Sequence, residues 1–188
     1  VHVDRARGRT AETPRAHGSS KRETRTEAAM ANVHEFTMKT IDGAEKSLGD
    51  YAGQVLLVVN VASACGLTPQ YAGIEALHRK LSARGFSVLG FPANDFGAQE
   101  PGTEAQIKEF CQSRYDVSFP MFAKITVKGA SKHPLYAYLT TEAAPAGEVA
   151  WNFGKFLVGK DGKVIRRFEP TVAPDAPELL SAIEAALD

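Results

Sequence analysis

Two kinds of hydrophobic pattern alternate along the chain. Residues 55 to 62 read Val-Leu-Leu-Val-Val-Asn-Val-Ala, a nearly unbroken β-branched and apolar run. Such a run marks a strand buried on both faces, as at the centre of an α/β sheet. Ile74, Leu77, His78 and Leu81 then recur at helical spacing, and Gly85 supplies the left-handed stop. Phe86 to Phe91 reads as the next strand. A strand, a helix and a strand in that order predict a parallel pair joined by a right-handed crossover.

The flanking patterns complete the plan. Phe36-Thr37-Met38 with the turn signal Asp42-Gly43 predicts a small opening hairpin. Thr103 and Gln106 have capping-box spacing, and Ile107, Phe110 and Cys111 follow on one helical face. A further helix covers His133 to Thr141. Phe156-Leu157-Val158 and Val164-Ile165 flank the turn Lys160-Asp161-Gly162-Lys163, a hairpin signal. The last helix is expected to start near Asp175, with Glu178 three residues on and an apolar stripe of Leu179, Leu180, Ile183 and Leu187. Strand, helix, strand, helix, then a hairpin and a final helix is thioredoxin-like order, with one helix inserted before the hairpin. The expected class is therefore α/β, a central mixed sheet flanked by helices.

Composition narrows the function classes. The 188 residues are 44% hydrophobic and 23% charged, an ordinary soluble balance. Lys plus Arg and Asp plus Glu both total 22, so the formal net charge is zero. A protein that binds nucleic acid by counterion release needs a basic face, and nothing here supplies one. No apolar run approaches the roughly 20 residues of a membrane span. Residues 1–30 carry seven basic and four acidic side chains, no aromatic residue and almost no large apolar one. They cannot bury enough surface to offset ordering entropy and read as a disordered extension before a single domain at 31–188. They contain no apolar core of a secretory signal, and their four acidic residues argue against a transit peptide. Met30, just before the first structured pattern, is a candidate start. With no export signal, the expected location is cytoplasmic.

Two cysteines, Cys65 and Cys111, are either buried small apolar residues or redox groups. Cys65 follows the buried strand directly and precedes a helix. Thr68-Pro69 is the helix-start signal, Thr as N-cap and Pro at the first helical position. Free N–H groups and the positive end of the helix dipole favour an anion there, which turns a thiol towards its thiolate. The neighbours Ser63, Ala64 and Gly66 are small and leave the sulfur accessible. Position alone leaves two readings, a reactive thiol or an inert cysteine at a strand end.

Three longer segments carry more. Asn60-Val61-Ala62-Ser63-Ala64-Cys65-Gly66-Leu67-Thr68-Pro69-Gln70-Tyr71, Gly90-Phe91-Pro92-Ala93-Asn94-Asp95-Phe96-Gly97-Ala98-Gln99-Glu100-Pro101-Gly102 and Trp151-Asn152-Phe153-Gly154-Lys155-Phe156-Leu157-Val158 resemble, in order and spacing, the signatures of the glutathione peroxidase family. The resemblance runs from about residue 33 to the C-terminus. It implies that Cys65 is the peroxidatic residue, a position held in many animal members by selenocysteine. Gln99, Trp151 and Asn152 match the other members of the family's catalytic tetrad. Their amide and indole N–H groups are donors that stay neutral at every relevant pH and can polarise a peroxide oxygen. Cys111, within Glu109-Phe110-Cys111-Gln112, matches the resolving cysteine of the thioredoxin-using branch. Where the family often carries another cysteine, this chain has Ala93.

The resemblance implies a thiol peroxidase. Cys65 attacks a peroxide oxygen, a sulfenic acid forms, Cys111 condenses with it to a disulfide, and thioredoxin or glutathione restores the thiols. The segment from Lys124 to Trp151 lacks the extra loop through which tetrameric relatives assemble, which implies a monomer open to lipid and alkyl hydroperoxides. A non-catalytic peroxide sensor would use the same cysteines. A thioredoxin-type oxidoreductase would need Cys-x-x-Cys, and Thr68 stands at the second position. His2, His17, His34, His78 and His133 have no metal-ligand spacing, so no metal site is expected, and no cofactor either. Gly97 and Gly102 belong to no strand–GxGxxG–helix unit. Arg166 and Arg167 read as a solvated strand end or as a site for an acidic partner.

Overall fold

The computed structural model describes residues 32–188. The expected N-terminal extension, residues 1–30, lies outside them. Ten strands and helices follow in chain order: β1 (Thr37–Lys39), β2 (Glu45–Ser47), β3 (Val55–Val61), α1 (Gln70–Leu81), β4 (Phe86–Pro92), α2 (Glu104–Tyr115), α3 (Pro134–Glu142), β5 (Lys155–Val158), β6 (Val164–Phe168) and α4 (Pro177–Leu187). The opening hairpin pairs β1 with β2. The main sheet has the order β4-β3-β5-β6. Strands β3 and β4 run parallel, and β5 lies antiparallel to both β3 and β6. It is the mixed, helix-flanked sheet of the thioredoxin-like class.

Alternation along β3 sorts the core into two layers. Val55, Leu57, Val59 and Val61 pack with Ile74 and Leu81 of α1, Ile107 and Cys111 of α2, and Leu179 and Ile183 of α4. Leu56 and Val58 face Leu135, Tyr136 and Leu139 of α3 together with Phe36 and Met38. Every residue of β3 and β4 is buried, which is why their sequences run apolar without a break.

Helix boundaries follow local chemistry. The capping box of α2 is present: Gln106 N–H donates to the Thr103 hydroxyl, and Thr103 N–H donates to Gln106 Oε1. Gly85 sits at φ 85°, where a side chain would be strained, and closes the short 3-10 turn that extends α1. His133 caps α3, its Nδ1 accepting from Leu135 N–H at 3.1 Å. Two expected starts shift. Helix α4 begins at Pro177, not near Asp175, because Ala176 is still extended and proline suits the first helical position. Helix α1 begins at Gln70 with Pro69 as its cap residue, and Thr68 does not cap it.

The outer edge of β4 is occupied. Gly90 N–H donates to the Pro120 carbonyl and Phe122 N–H to the Gly90 carbonyl, both at 2.9 Å. A Cβ on Gly90 would lie 2.6 Å from the Met121 sulfur and 3.0 Å from the Phe119 ring, so those side chains pack in the space that glycine leaves. The sequence reading placed nothing there, because a two-residue bridge has no hydrophobic period.

Candidate active site

Topology brings the three signature segments to one end of the sheet. The Cys65 loop leaves the C-terminal end of β3, and the Gln99 loop leaves that of the parallel β4. Trp151 and Asn152 precede β5, which runs back antiparallel beside β3. Backbone bonds tie the loops together. Ala64 N–H donates to the Gln99 carbonyl at 3.0 Å, and Phe153 N–H donates to the Asn60 carbonyl at 2.6 Å. Asn60, fully buried, also gives its amide N–H to the Trp151 carbonyl at 3.1 Å.

Thr68 explains the shape of the Cys65 loop. Its hydroxyl accepts from Cys65 N–H at 3.0 Å and donates to the Ala62 carbonyl at 2.8 Å. That oxygen is therefore spent on closing the turn around the cysteine, which is why it does not cap α1. Leu67 N–H points at the sulfur, with the nitrogen 3.3 Å from Cys65 Sγ. Cys65 is free and only 9% exposed, less accessible than its small neighbours predict, on the wall of a cleft of about 380 Å³ that Ser63, Thr68, Pro69, Phe110, Arg114 and Tyr115 also line.

The expected partners of Cys65 form their own cluster beside that cleft. Asn152 is fully buried and donates through Nδ2 to Gln99 Oε1 at 2.9 Å. Trp151 is 39% exposed, packs on Phe96 with ring centroids 5.5 Å apart, and lies against Gly97. Among the described residues, no hydrogen bond runs from Gln99, Trp151 or Asn152 to the Cys65 sulfur. These side chains reach the cysteine loop through the Ala64–Gln99 backbone bond.

Cys111 is placed differently. It is free, 1% exposed, and borders a second cleft of about 390 Å³ between α2 and the β1–β2 hairpin. Burial pushes its thiol up to about 11, with only partial relief from the Tyr71 hydroxyl next to it. Rings of Tyr71, Phe110, Tyr115 and Phe119 fasten α2 onto α1, with Tyr71–Tyr115 centroids at 5.4 Å. The two cysteines thus belong to different clefts, and α2 carries Phe110 towards one and Cys111 towards the other.

Three residues without a role in the sequence reading stand close to this site. Glu100 is 1% exposed and accepts the Ser63 hydroxyl at 2.6 Å. Burial raises its carboxyl above the ordinary range, although Ser63 and Lys124 pull the other way. Lys155 is fully buried and gives its ammonium to the carbonyls of Phe153 at 2.7 Å and Pro170 at 3.3 Å. It thereby holds Phe153 at φ 68°, a left-handed conformation next to Asn152. Asn60 is the third. Its signal was a lone polar residue inside an apolar strand. Glu100 and Lys155 gave none beyond membership in the matched segments.

Comparison with known proteins bears on the family and the fold. Residues 33–140 match the family model described as glutathione peroxidase. The chain is 46% identical over 170 residues to a hydroperoxy fatty acid reductase of Synechocystis sp., covering 85% of this chain and 99% of that protein. It is 45% identical over 172 residues to the thioredoxin/glutathione peroxidase BtuE of Escherichia coli, covering 80% and 94%. The crystal structure of T. cruzi GPX1 superposes with a TM-score of 0.66 at 32% identity, over 83% of this chain and 96% of that one. A thioredoxin-family thiol:disulfide interchange protein from Chlorobium tepidum, at 15% identity and a TM-score of 0.60 over 84% and 96%, shares the fold. The chain belongs to the glutathione peroxidase family and is a peroxidase, an oxidoreductase that reduces peroxides.

Proposed function

We propose that Cys65 is the peroxidatic thiol and that the chain reduces hydrogen peroxide and organic or lipid hydroperoxides through a Cys65 sulfenic acid. The observation that carries this reading is the Leu67 N–H aimed at a free sulfur on the wall of an open cleft. Attack of the sulfur on the terminal peroxide oxygen forms the S–O bond and breaks the O–O bond. Gln99, Trp151 and Asn152 are in this reading the neutral donors to the oxygen on which charge develops, with Asn152 buried behind Gln99 and orienting its amide. Phe110 and Tyr115 offer an apolar wall to an alkyl chain, which fits the hydroperoxy fatty acid named for the Synechocystis relative.

Cys111 is the proposed resolving cysteine, and thioredoxin the preferred reductant, with glutathione second. The relative named thioredoxin/glutathione peroxidase supports both. The two thiols are free and line different clefts, so in this reading the part of α2 that carries Cys111 moves for resolution. The protein acts as a cytoplasmic monomer in this reading. The test is steady-state peroxidase kinetics with excess thioredoxin and with excess glutathione, side by side. Sustained turnover with thioredoxin is expected. A single oxidation without turnover by either reductant would replace the enzyme with a peroxide sensor that uses the same cysteines.

A further inference from the structure

We propose that Ser63 and Glu100 form a proton store for the Cys65 cleft, receiving the proton as Cys65 ionises and returning it to the oxygen that leaves when the peroxide bond breaks. The inference rests on Cys65 being the peroxidatic thiol.

Three observations carry it. Ser63 lines the same cleft as Cys65, two residues away on one loop. Its hydroxyl is bonded to Glu100 Oε1 at 2.6 Å. Glu100 is sealed behind it: its second oxygen, Oε2, is shut off from solvent and has no hydrogen-bond partner. An ionised carboxylate accepts about four hydrogen bonds and is poorly served where Ser63 alone donates, through its hydroxyl and its backbone N–H. A buried carboxyl in that state holds a proton readily, and burial raises Glu100 accordingly. Among the described residues no cation forms an ion pair with it. The charged and titratable groups that face it are Lys124, whose ammonium is spent on the Gly102 carbonyl, Cys111 of α2 and Tyr71 of α1. Among the described residues, Ser63 is the side chain that both lines the cleft and bonds Glu100.

The chemistry balances without another reactant. The thiol proton passes by way of the Ser63 hydroxyl to Glu100. Sγ then gives an electron pair to the terminal peroxide oxygen, the S–O bond forms, and the O–O bond breaks. Sulfur is oxidised by two electrons and the peroxide reduced by two. The oxygen that leaves, an alkoxide or hydroxide, takes the stored proton back through Ser63 and departs as alcohol or water. Cys65 is left as sulfenic acid.

A leaving-group comparison tests this. The full chain, reduced, is mixed in single turnover with an alkyl hydroperoxide, with hydrogen peroxide and with peracetic acid, followed through the fluorescence of Trp151, the one tryptophan. A peracid releases a carboxylate, which needs no proton. Glu100→Gln keeps the size and the bond to Ser63 but stores no proton. It is expected to slow oxidation by the alkyl hydroperoxide and hydrogen peroxide about a hundredfold and by peracetic acid less than about twofold. Ser63→Ala should give the same contrast, and it carries the test if the Glu100 variant does not fold. An equal loss with all three oxidants would make the pair a positioning device and overturn the proposal, as would no loss at all. Wild type that peracetic acid does not oxidise at Cys65 would instead overturn the reading of Cys65.

Discussion

Cys65 and Lys155 make opposite demands on a sequence reader. The first is legible: a lone cysteine between a buried strand and a helix start, inside a matched segment, with Gln99, Trp151 and Asn152 in two others. Replacing Cys65 by serine should abolish peroxide consumption in coupled assays, because a hydroxyl neither ionises near neutral pH nor forms a sulfenic acid. The second is illegible, since a lysine in sequence is a surface residue until the fold buries it. Burial brings Lys155 down from 10.5 to about 8. Below pH 8 the folded and unfolded chains both hold the proton, and the fold bears the cost of a buried cation. Between about pH 8 and 10.5 the unfolded chain binds more protons, so stability rises with pH. Urea titrations through that window should show wild type rising by about 3 kcal/mol relative to Lys155→Met. A difference that stays flat with pH would mean that Lys155 titrates normally.

Helix α2 is the element on which the resolving step depends. Its capping box and apolar face were readable from Thr103, Gln106, Ile107 and Cys111. The anchors at its C-terminal end were not, because they come from α1, far away in sequence. Glu75, almost fully buried, accepts Ser118 N–H at 2.9 Å and the Ser118 hydroxyl at 2.6 Å, and pairs with Arg79. Arg79 in turn donates to the Asp116 carbonyl at 2.9 Å. Removing part of such a buried network costs roughly 1–3 kcal/mol. Glu75→Gln should therefore raise amide exchange across residues 111–119. If α2 must open for Cys111 to meet Cys65, it should also speed disulfide formation after peroxide, read by peptide mapping. Cys111→Ser should still consume one equivalent of peroxide, lose thioredoxin-coupled turnover, and over-oxidise to sulfinic acid more readily. Thioredoxin turnover at the wild-type rate would make Cys111 a packing residue.

For the molecule as a whole, order and handedness were visible in the alternation of strand and helix patterns, while the way loops lock together was not. Hydrophobic period reports which face is buried. It is silent about single bonds such as Ala64 to Gln99 or Asn60 to Trp151, which decide where the loops meet. Among the described residues both layers of the core close from Val33 onward. Removing residues 1–29, which carry net charge and no core-forming residues, is expected to leave melting temperature and peroxidase turnover nearly unchanged, and a large loss of either would show that this segment docks on the domain. The strap across Gly90 bears on how the protein behaves in concentrated solution. With β4 covered by Pro120–Phe122, β6 is the one open margin of the sheet among the described residues. Arg166 stands exposed on that margin and is paired with Glu178 of α4, while Arg167 beside it is folded in and bonded to the Gly147 and Glu148 carbonyls. Charged side chains on a single short border hinder the addition of strands from neighbouring molecules. The sheet is thereby guarded against zippering into aggregates, and Gly90→Ala, which must push the Met121 side chain aside, is expected to loosen the strap and raise light scattering in concentrated solution.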